Sequence, residues 1–454
     1  MNRTVRKLKP YCIALSSALW LASVALAQQN DNNNSENRRP ALPAGYVNIG
    51  ATTPENTILF EANGQASYDD NVFANNADRV GDMFTQLGAH VGMNIQASRG
   101  SFLMDYFPTY IFYANHSGYD SGSHELHLDG QWFMTRHWQI EAQDFTVYRS
   151  GLFGSYDAAN FTNQTSGLDP SLNTTIYAPL ARELSNQARV NVRGQLSKRS
   201  EIDVWGAFLD RNFGSVANAP TENLLDTSGG SGGMQYKHQV SRDVNVGVSY
   251  THQHLTFGSS SRATFDDALL NIEWAIRPTL TLSVFGGGQH TSVLDSFSVL
   301  LPLPGGPTVV TVSDAQKEWH GIGGGSVAKQ FRHALVEVSA QRGATDGGGL
   351  LTSVMNTSES GHVQWGISRM WGVDVYAENA ESVALSGILD SGSIRSQRVG
   401  VGVYHQFTSA LGARFGYDFI RQRTDLAIPI VNNMDRDVVS FRLIYRFHEI
   451  PIGR

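Results

Sequence analysis

The sequence holds a single cysteine, Cys12, and it lies in an apolar stretch near the N-terminus. The rest of the chain therefore has no disulfide, thiolate metal centre or cysteine nucleophile available to it. Charge is scarce as well: 17% of residues are Asp, Glu, Lys or Arg, against roughly a quarter in ordinary soluble domains. Only one long apolar run exists, and the mean hydropathy is −0.24, which argues against a bundle of membrane-spanning helices. No G-x-G-x-x-G, P-loop or H-E-x-x-H motif is present. Aromatic residues at 10% and the modest charge exclude a disordered chain. What is present is 41% hydrophobic residues and 45 glycines in 454 residues, the composition of a β-rich chain with one wet side and one apolar side.

The apolar run identifies the N-terminus. Arg3, Arg6, Lys7 and Lys9 precede an apolar stretch from Tyr11 to Val24, which closes on Ala25-Leu26-Ala27. A basic head, an apolar middle and a small-x-small exit predict a secretory signal peptide over residues 1–27, with a membrane anchor as the alternative. Residues 28–55 are polar and Asn-rich at first and read as a flexible periplasmic lead-in. The signal carries four basic residues and no acid, so the chain beyond it has 30 Lys+Arg against 41 Asp+Glu, a net charge of −11. That balance excludes nucleic acid as a partner, because phosphate binding needs a concentrated basic surface.

From residue 56 to 448 one pattern repeats. In Glu125–Trp132, Leu126, Leu128 and Trp132 oppose Glu125, His127, Asp129 and Gln131. In Ala188–Leu196, Val190, Val192 and Leu196 oppose Arg189, Asn191, Arg193 and Gln195. Near the end, Val439, Phe441, Leu443, Tyr445 and Phe447 oppose Ser440, Arg442 and Arg446. Period two puts each set on one face of a strand. A soluble sandwich would alternate too, so the connections decide. Short ones, such as Ser98-Arg99-Gly100, Arg277-Pro278, Ser368-Arg369-Met370 and Ser409-Ala410, alternate with long polar stretches at 151–183, 214–228, 295–317, 387–396 and 424–437. This rhythm predicts an all-β, antiparallel, up-and-down transmembrane barrel with short periplasmic turns and long extracellular loops. A sheet in lipid has to close, since its backbone groups find no partner there.

The segments number about eighteen, within a range of 16–18. They begin near Thr57, Met83, Ser101, His124, Trp138, Leu184, Glu201, Gly232 and Val244, then near Phe265, Leu280, Trp319, Ala334, Asn356, Trp371, Gln397, Leu411 and Val438. Trp132, Trp138, Trp319, Trp371 and Phe102 lie beside short turns and predict a periplasmic aromatic girdle, with core aromatics as the bland reading. The last strand ends on Phe447, the terminal aromatic by which such barrels are recognised by the assembly machinery, and residues 449–454 overhang it. Outer-membrane lipid and lipopolysaccharide are the expected surroundings, and the cell outer membrane the expected location.

Catalytic chemistry is poorly represented. Gly229-Gly230-Ser231-Gly232-Gly233 fits G-x-S-x-G without a strand-to-helix elbow and reads as a flexible loop. His252 and His254 share a strand face but are expected by chance among fourteen histidines. No catalytic residue, metal or cofactor is assigned. The candidate functional residues are the charges that must face the lumen, because lipid-facing charges cost several kcal/mol each. These are Arg189, Arg193, Arg398, Arg414, Arg442 and Arg446, with Glu125, Asp129, Glu141, Asp203, Glu273, Glu337, Asp374, Glu378 and Asp418. They would set the field of a pore or pair across strands to hold the wall together. On this reading, charge reversal at Arg442 or Arg446 should leave folding nearly intact.

One motif carries a family resemblance. Tyr68-Asp69-Asp70-Asn71-Val72-Phe73, preceded by Gly64-Gln65-Ala66-Ser67, resembles the Y-D-D-N-[VI]-[FY] signature near the start of the β-barrel porin 2 family of Gram-negative outer-membrane proteins. Members of that family often accompany exopolysaccharide synthesis and export genes. The resemblance implies a barrel with a role in polysaccharide passage and brings no catalytic residue. On their own physics, Asp69, Asp70 and Asn71 either cap a turn through Asx hydrogen bonds or belong to a calcium site, with the turn favoured. The expected function is a porin or export channel for hydrophilic or saccharide solutes. The alternatives are an enzyme at the barrel rim and a structural or adhesive barrel whose lumen is plugged by the 151–183 or 295–317 loop.

Overall fold

The computed structural model describes residues 56–151, 181–215, 224–258, 261–303, 306–385, 392–425 and 432–452. The signal and lead-in segments and most of the 151–183 loop lie outside them. The described chain is almost entirely β-strand: β1 (Thr57–Asp69), β2 (Asp82–Ala97), β3 (Gly100–Tyr113), β4 (Ser121–Phe133), β5 (Trp138–Gly151) and β6 (Ala181–Ser197) come first. They are followed by β7 (Ser200–Ser215), β8 (Thr227–Gln239), β9 (Val244–Phe257), β10 (Ser261–Arg277), β11 (Leu280–Leu303) and β12 (Gly306–Gln330). The last are β13 (Ala334–Gly347), β14 (Leu351–Gly366), β15 (Trp371–Ala384), β16 (Ser393–Gln406), β17 (Leu411–Thr424), β18 (Met434–Arg446) and a two-residue β19 (Ile450–Pro451). A single 3-10 turn at Ser117–Tyr119 is the only helical element among the described residues.

Each strand pairs antiparallel with the next, and β18 returns to β1 over nine residues, from Glu61↔Arg446 to Asp69↔Val438. The sheet is thus a closed barrel of eighteen strands. The C-terminal segment does not hang free as expected: Ile450 and Pro451 pair with Ile58 and Thr57, extending the seam downward. Closure removes every edge, as a sheet in lipid requires.

Alternation sorts the two faces. On β18, Val439, Phe441, Leu443 and Tyr445 are exposed on the outside, while Ser440 and Arg442 between them are buried. On β17, Phe415 and Tyr417 are exposed and Arg414 and Asp418 buried. The outward apolar run of β17 ends after Phe419, where Arg421 begins an exposed polar zone and bonds Asp435 of β18 at 2.8 Å. Leu411 to Phe419, at about 3.3 Å per residue and ~40° tilt, rises roughly 20 Å along the barrel axis, most of the ~25 Å height of an outer-membrane apolar band. Its lower edge carries exposed Trp132, Trp138, Trp274, Trp365 and Trp371 beside the short turns, with Phe331, Phe407 and Phe447. Trp319 is a correction. It lies well inside β12, eleven residues before the Gln330 end, and so far from the short-turn rim where the sequence reading put it.

The expected strand starts at the short-turn edge agree with the structure to within one residue, from Thr57 to Leu411. Those at the loop edge come too late, by five residues at β8 and thirteen at β12. Strands run on beyond the apolar band, where the polar-in, apolar-out alternation disappears: the start of β8 is small and polar, while residues 297–303 of β11 and 308–312 of β12 are largely apolar around Pro302 and Pro307. Residues 295–317 are therefore not a loop: β11 and β12 form an unbroken hairpin out to Leu303↔Gly306. Likewise Gly229–Gly233 is not a flexible loop but part of β8, paired with both β7 and β9.

One hairpin breaks the wall. β13 pairs with β12 only from Gly323↔Arg342 to Gln330↔Leu335; beyond Arg342 it stays with β14 and leaves β12. Every residue from Ala344 to Met355 is buried, on both faces of the hairpin. Gly348 and Gly349, at φ of 66° and 86°, make the tip turn in the left-handed region that favours glycine.

Candidate functional site

The lumen candidates named from sequence lie on the inner face, and most of them are held there by named partners. Across β15–β17, Arg414 donates from Nε to the Tyr404 hydroxyl at 2.8 Å and from Nη2 to Asp374 at 3.2 Å. Its guanidinium also lies 5.3 Å from the Tyr404 ring centroid. Arg398 donates to the Tyr376 hydroxyl at 2.9 Å and sits 4.8 Å over the same ring, while that hydroxyl donates to Asp418. Glu378 stands directly across from Arg398 in the register. Stacking plus bidentate donation suits arginine and would not transfer to lysine. The layer needs room, which Gly400, Gly402 and Gly416 supply: a Cβ at Gly402 would meet the Asp374 carboxylate and the Arg414 guanidinium.

The seam continues the pattern. Arg442 donates to Gln65 at 2.7 Å and Arg446 to Glu61 at 2.5 Å, and Arg436 holds Asp69. Glu61 also faces His90, which bonds Asp105 at 2.7 Å and stacks on Phe107 at 4.3 Å. The expectation that Arg442 and Arg446 can be reversed freely is corrected here. Arg442 is buried, and a glutamate at 446 would stand beside the buried carboxylate of Glu61, leaving it without its cation.

Elsewhere the charges also pair. Glu125 takes Arg149 at 3.1 Å, and Gln143 donates to Asp129 and Glu141 at 2.8 and 3.0 Å. Arg189 lies 4.5 Å over Trp205, and Arg193 sits between Glu201 and Asp203 at 3.4 and 3.5 Å. Glu273 pairs with Lys237 at 2.5 Å, and Glu337 stands across from His362. Sequence reasoning missed His90, Lys237, Arg436, Tyr376 and Tyr404. The same period-two count that found Arg414 and Arg442 would have reached them.

The Tyr68–Phe73 motif is a structural knot at the loop end of the seam. Asp69 is fully buried, accepts the Asn71 backbone N–H at 2.9 Å as an Asx turn, and accepts Arg436. Asn71 donates to the Asp435 carbonyl at 2.9 Å, and Phe73 packs edge-on against Tyr119 and His116. Asp70 bonds Arg79 and the Asp437 backbone; partial burial and the nearby Asp437 and Asp69 carboxylates hold its own carboxyl above the usual range. The carboxylates are thus spent on the chain itself. His252 and His254 point outward, to Asp266 and Thr264, and the described residues contain no group of three metal-ligating side chains.

The inward hairpin reaches across the interior. Asp346 at its tip takes Arg211 of β7 at 3.0 Å, although β7 and β13 are six strands apart in the sheet. Gln289 of β11 bonds both backbone groups of Ala344, at 2.7 and 3.2 Å, and Thr352 donates to Asp295 at 3.1 Å. Ala344 and Met355 pack with Leu209, Leu255, Phe257, Phe265 and Val293 in one buried cluster. These are inner-face positions of β7, β9, β10 and β11, so the tip lies inside the barrel.

A closed eighteen-stranded sheet with an apolar outer belt, aromatic edges and a charged inner wall defines an integral β-barrel of the outer membrane. A scan against protein-family models gives no match, and neither does a search of curated proteins. Among solved structures the chain is similar to Pseudomonas aeruginosa OccK2 (OpdF) in complex with glucuronate, at 9% identity and a TM-score of 0.45, over 87% of this chain and 99% of that one. It is similar to the E. coli K12 ferric-catecholate import receptor Fiu at 8% identity and 0.44, over 85% and 81%. The Pseudomonas aeruginosa outer membrane protein opdK follows at 9% and 0.40, over 86% and 98%.

Proposed function

We propose that this barrel is a channel that passes hydrophilic solutes across the outer membrane and carries out no covalent chemistry. The observation behind this reading is the inner wall. At least fifteen ionisable side chains face inward, most of them held by partners on the wall itself. A wall whose charges are already compensated can border water and polar solutes without binding either tightly. The resemblance at Tyr68–Phe73 and the Tyr and Trp rings on the inner face favour saccharides, in keeping with exopolysaccharide export. Barrel assembly machinery, lipid and lipopolysaccharide would be its membrane partners.

Purified protein in planar bilayers should give stepwise ion conductance with a mild preference for cations, given the net charge of −11 beyond the signal. Acidic and neutral oligosaccharides added on one side should interrupt the current. Folded protein that leaves the bilayer silent would overturn the channel reading, and current indifferent to every saccharide would overturn the saccharide part.

A further inference from the structure

We infer that the β13–β14 tip is a fixed constriction: it occupies part of the lumen at the loop end and sets the size of solute that passes. This rests on the channel reading above and adds the element that determines its selectivity. Three features of the tip support it. It is reached by leaving the wall, since β13 gives up β12 after Arg342 while β12 continues upward with β11. It is anchored to the β7–β11 sector of the inner wall by the Arg211–Asp346 ion pair, by the Leu225 N–H to the Gly349 carbonyl at 2.7 Å, and by Thr352 on Asp295. It is sealed to that side by apolar contact, Ala344 and Met355 against the Leu255–Phe265–Val293 face.

A loop that opened and closed would meet the wall through polar, hydrated contacts. This one has buried its apolar side chains, and Asp346 and Ser353 are fully buried as well. Undocking would expose all of them together, so the tip acts as a permanent narrowing and not as a lid. The glycines fit this role. A Cβ at Gly349 would run into the Phe213 ring of β7, so the turn can approach that strand only because it carries no side chain there. Confined to one sector, the tip closes off the β7–β11 side of the passage and leaves the remainder of the cross-section to the solute.

Removal of residues 347–352 would leave Asp346 and Ser353 as a two-residue turn joining the paired Thr345 and Val354. The shortened protein should fold, by heat-modifiable electrophoretic mobility, and give unitary conductance at least about twofold higher, with a larger polymer-exclusion cut-off. A silent parent with a conducting variant would overturn the inference, the tip then being a plug and not a constriction that leaves a passage. Equal conductance and equal cut-off in two folded, conducting proteins would overturn the constriction and leave the channel standing. Silence of both would sink the channel reading and the constriction with it. If the deletion does not fold, the Asp346→Asn, Thr352→Val double variant cuts two tethers and should raise current noise, whereas unchanged noise counts against the docked tip. Docking itself is read in a Cys12→Ser background: Leu351→Cys should react with an impermeant maleimide at least tenfold more slowly than Asp437→Cys. Equal rates would overturn it whether or not the protein conducts.

Discussion

Gly400→Val should destabilise the barrel more than any other single change on its inner wall, by roughly 3 kcal/mol or more. Gly400 faces inward on β16, and a side chain there would occupy the place of the Asp418 carboxylate and the Tyr376 phenol. Neither can retreat cheaply. Tyr376 carries Arg398 on its face and hydroxyl, and Asp418 holds that hydroxyl in turn. The valine would therefore both crowd a packed layer and leave buried charges short of partners, two effects that separately cost about 1–3 and 3–5 kcal/mol when partners are fully lost. Val401→Ala, one residue along and facing outward, is the control and should cost less than about 1 kcal/mol. Denaturant unfolding in lipid vesicles measures both. A Gly400→Val barrel as stable as the Val401→Ala one would mean that the arginine–tyrosine layer does not hold this wall.

Leu443→Arg is the second large effect, expected at about 2–4 kcal/mol because Leu443 sits mid-belt on the lipid side of β18. Phe441→Arg should behave alike. Ile444, the next residue, faces inward, and Ile444→Gln should cost under about 1 kcal/mol because it meets a wet wall. Equal costs at 443 and 444 would contradict the assignment of faces.

These contrasts trace how much of the molecule its sequence made legible. Inside the apolar band most outward residues are apolar and most inward ones polar or glycine, with exceptions such as Ile444, so Arg189, Arg414, Asp418 and Arg442 could be placed from sequence alone. Above the band that sorting lapses: residues 297–303 and 308–312 are largely apolar runs around Pro302 and Pro307, and β9 and β10 turn Leu255, Phe257 and Phe265 inward. That is why β12 was expected to begin at Trp319 instead of Gly306, and why the 295–317 hairpin looked like a loop. Pairing was hidden for a different reason. Asp69 meets Arg436, and Arg211 meets Asp346, across 367 and 135 residues of sequence, distances over which spacing carries no signal. The inward hairpin left a trace in Gly347-Gly348-Gly349, yet a glycine run can as well mark an exposed turn. Its burial could be seen only once Leu255, Phe257 and Phe265 were found facing it from the inner face of β9 and β10. The motif at Tyr68–Phe73 gave its turn chemistry correctly, through Asp69 and Asn71, without disclosing that it ties the first strand to the last.

The central claim is that successive side chains face lipid and water by turns around a closed wall. Single cysteines from Val438 to Tyr445 on β18, each carrying a fluorophore in vesicles of brominated lipid, would read it position by position. Strong quenching at 439, 441, 443 and 445, with weak quenching at 438, 440, 442 and 444, is the expected record. Uniform quenching, or the reverse phase, would contradict it.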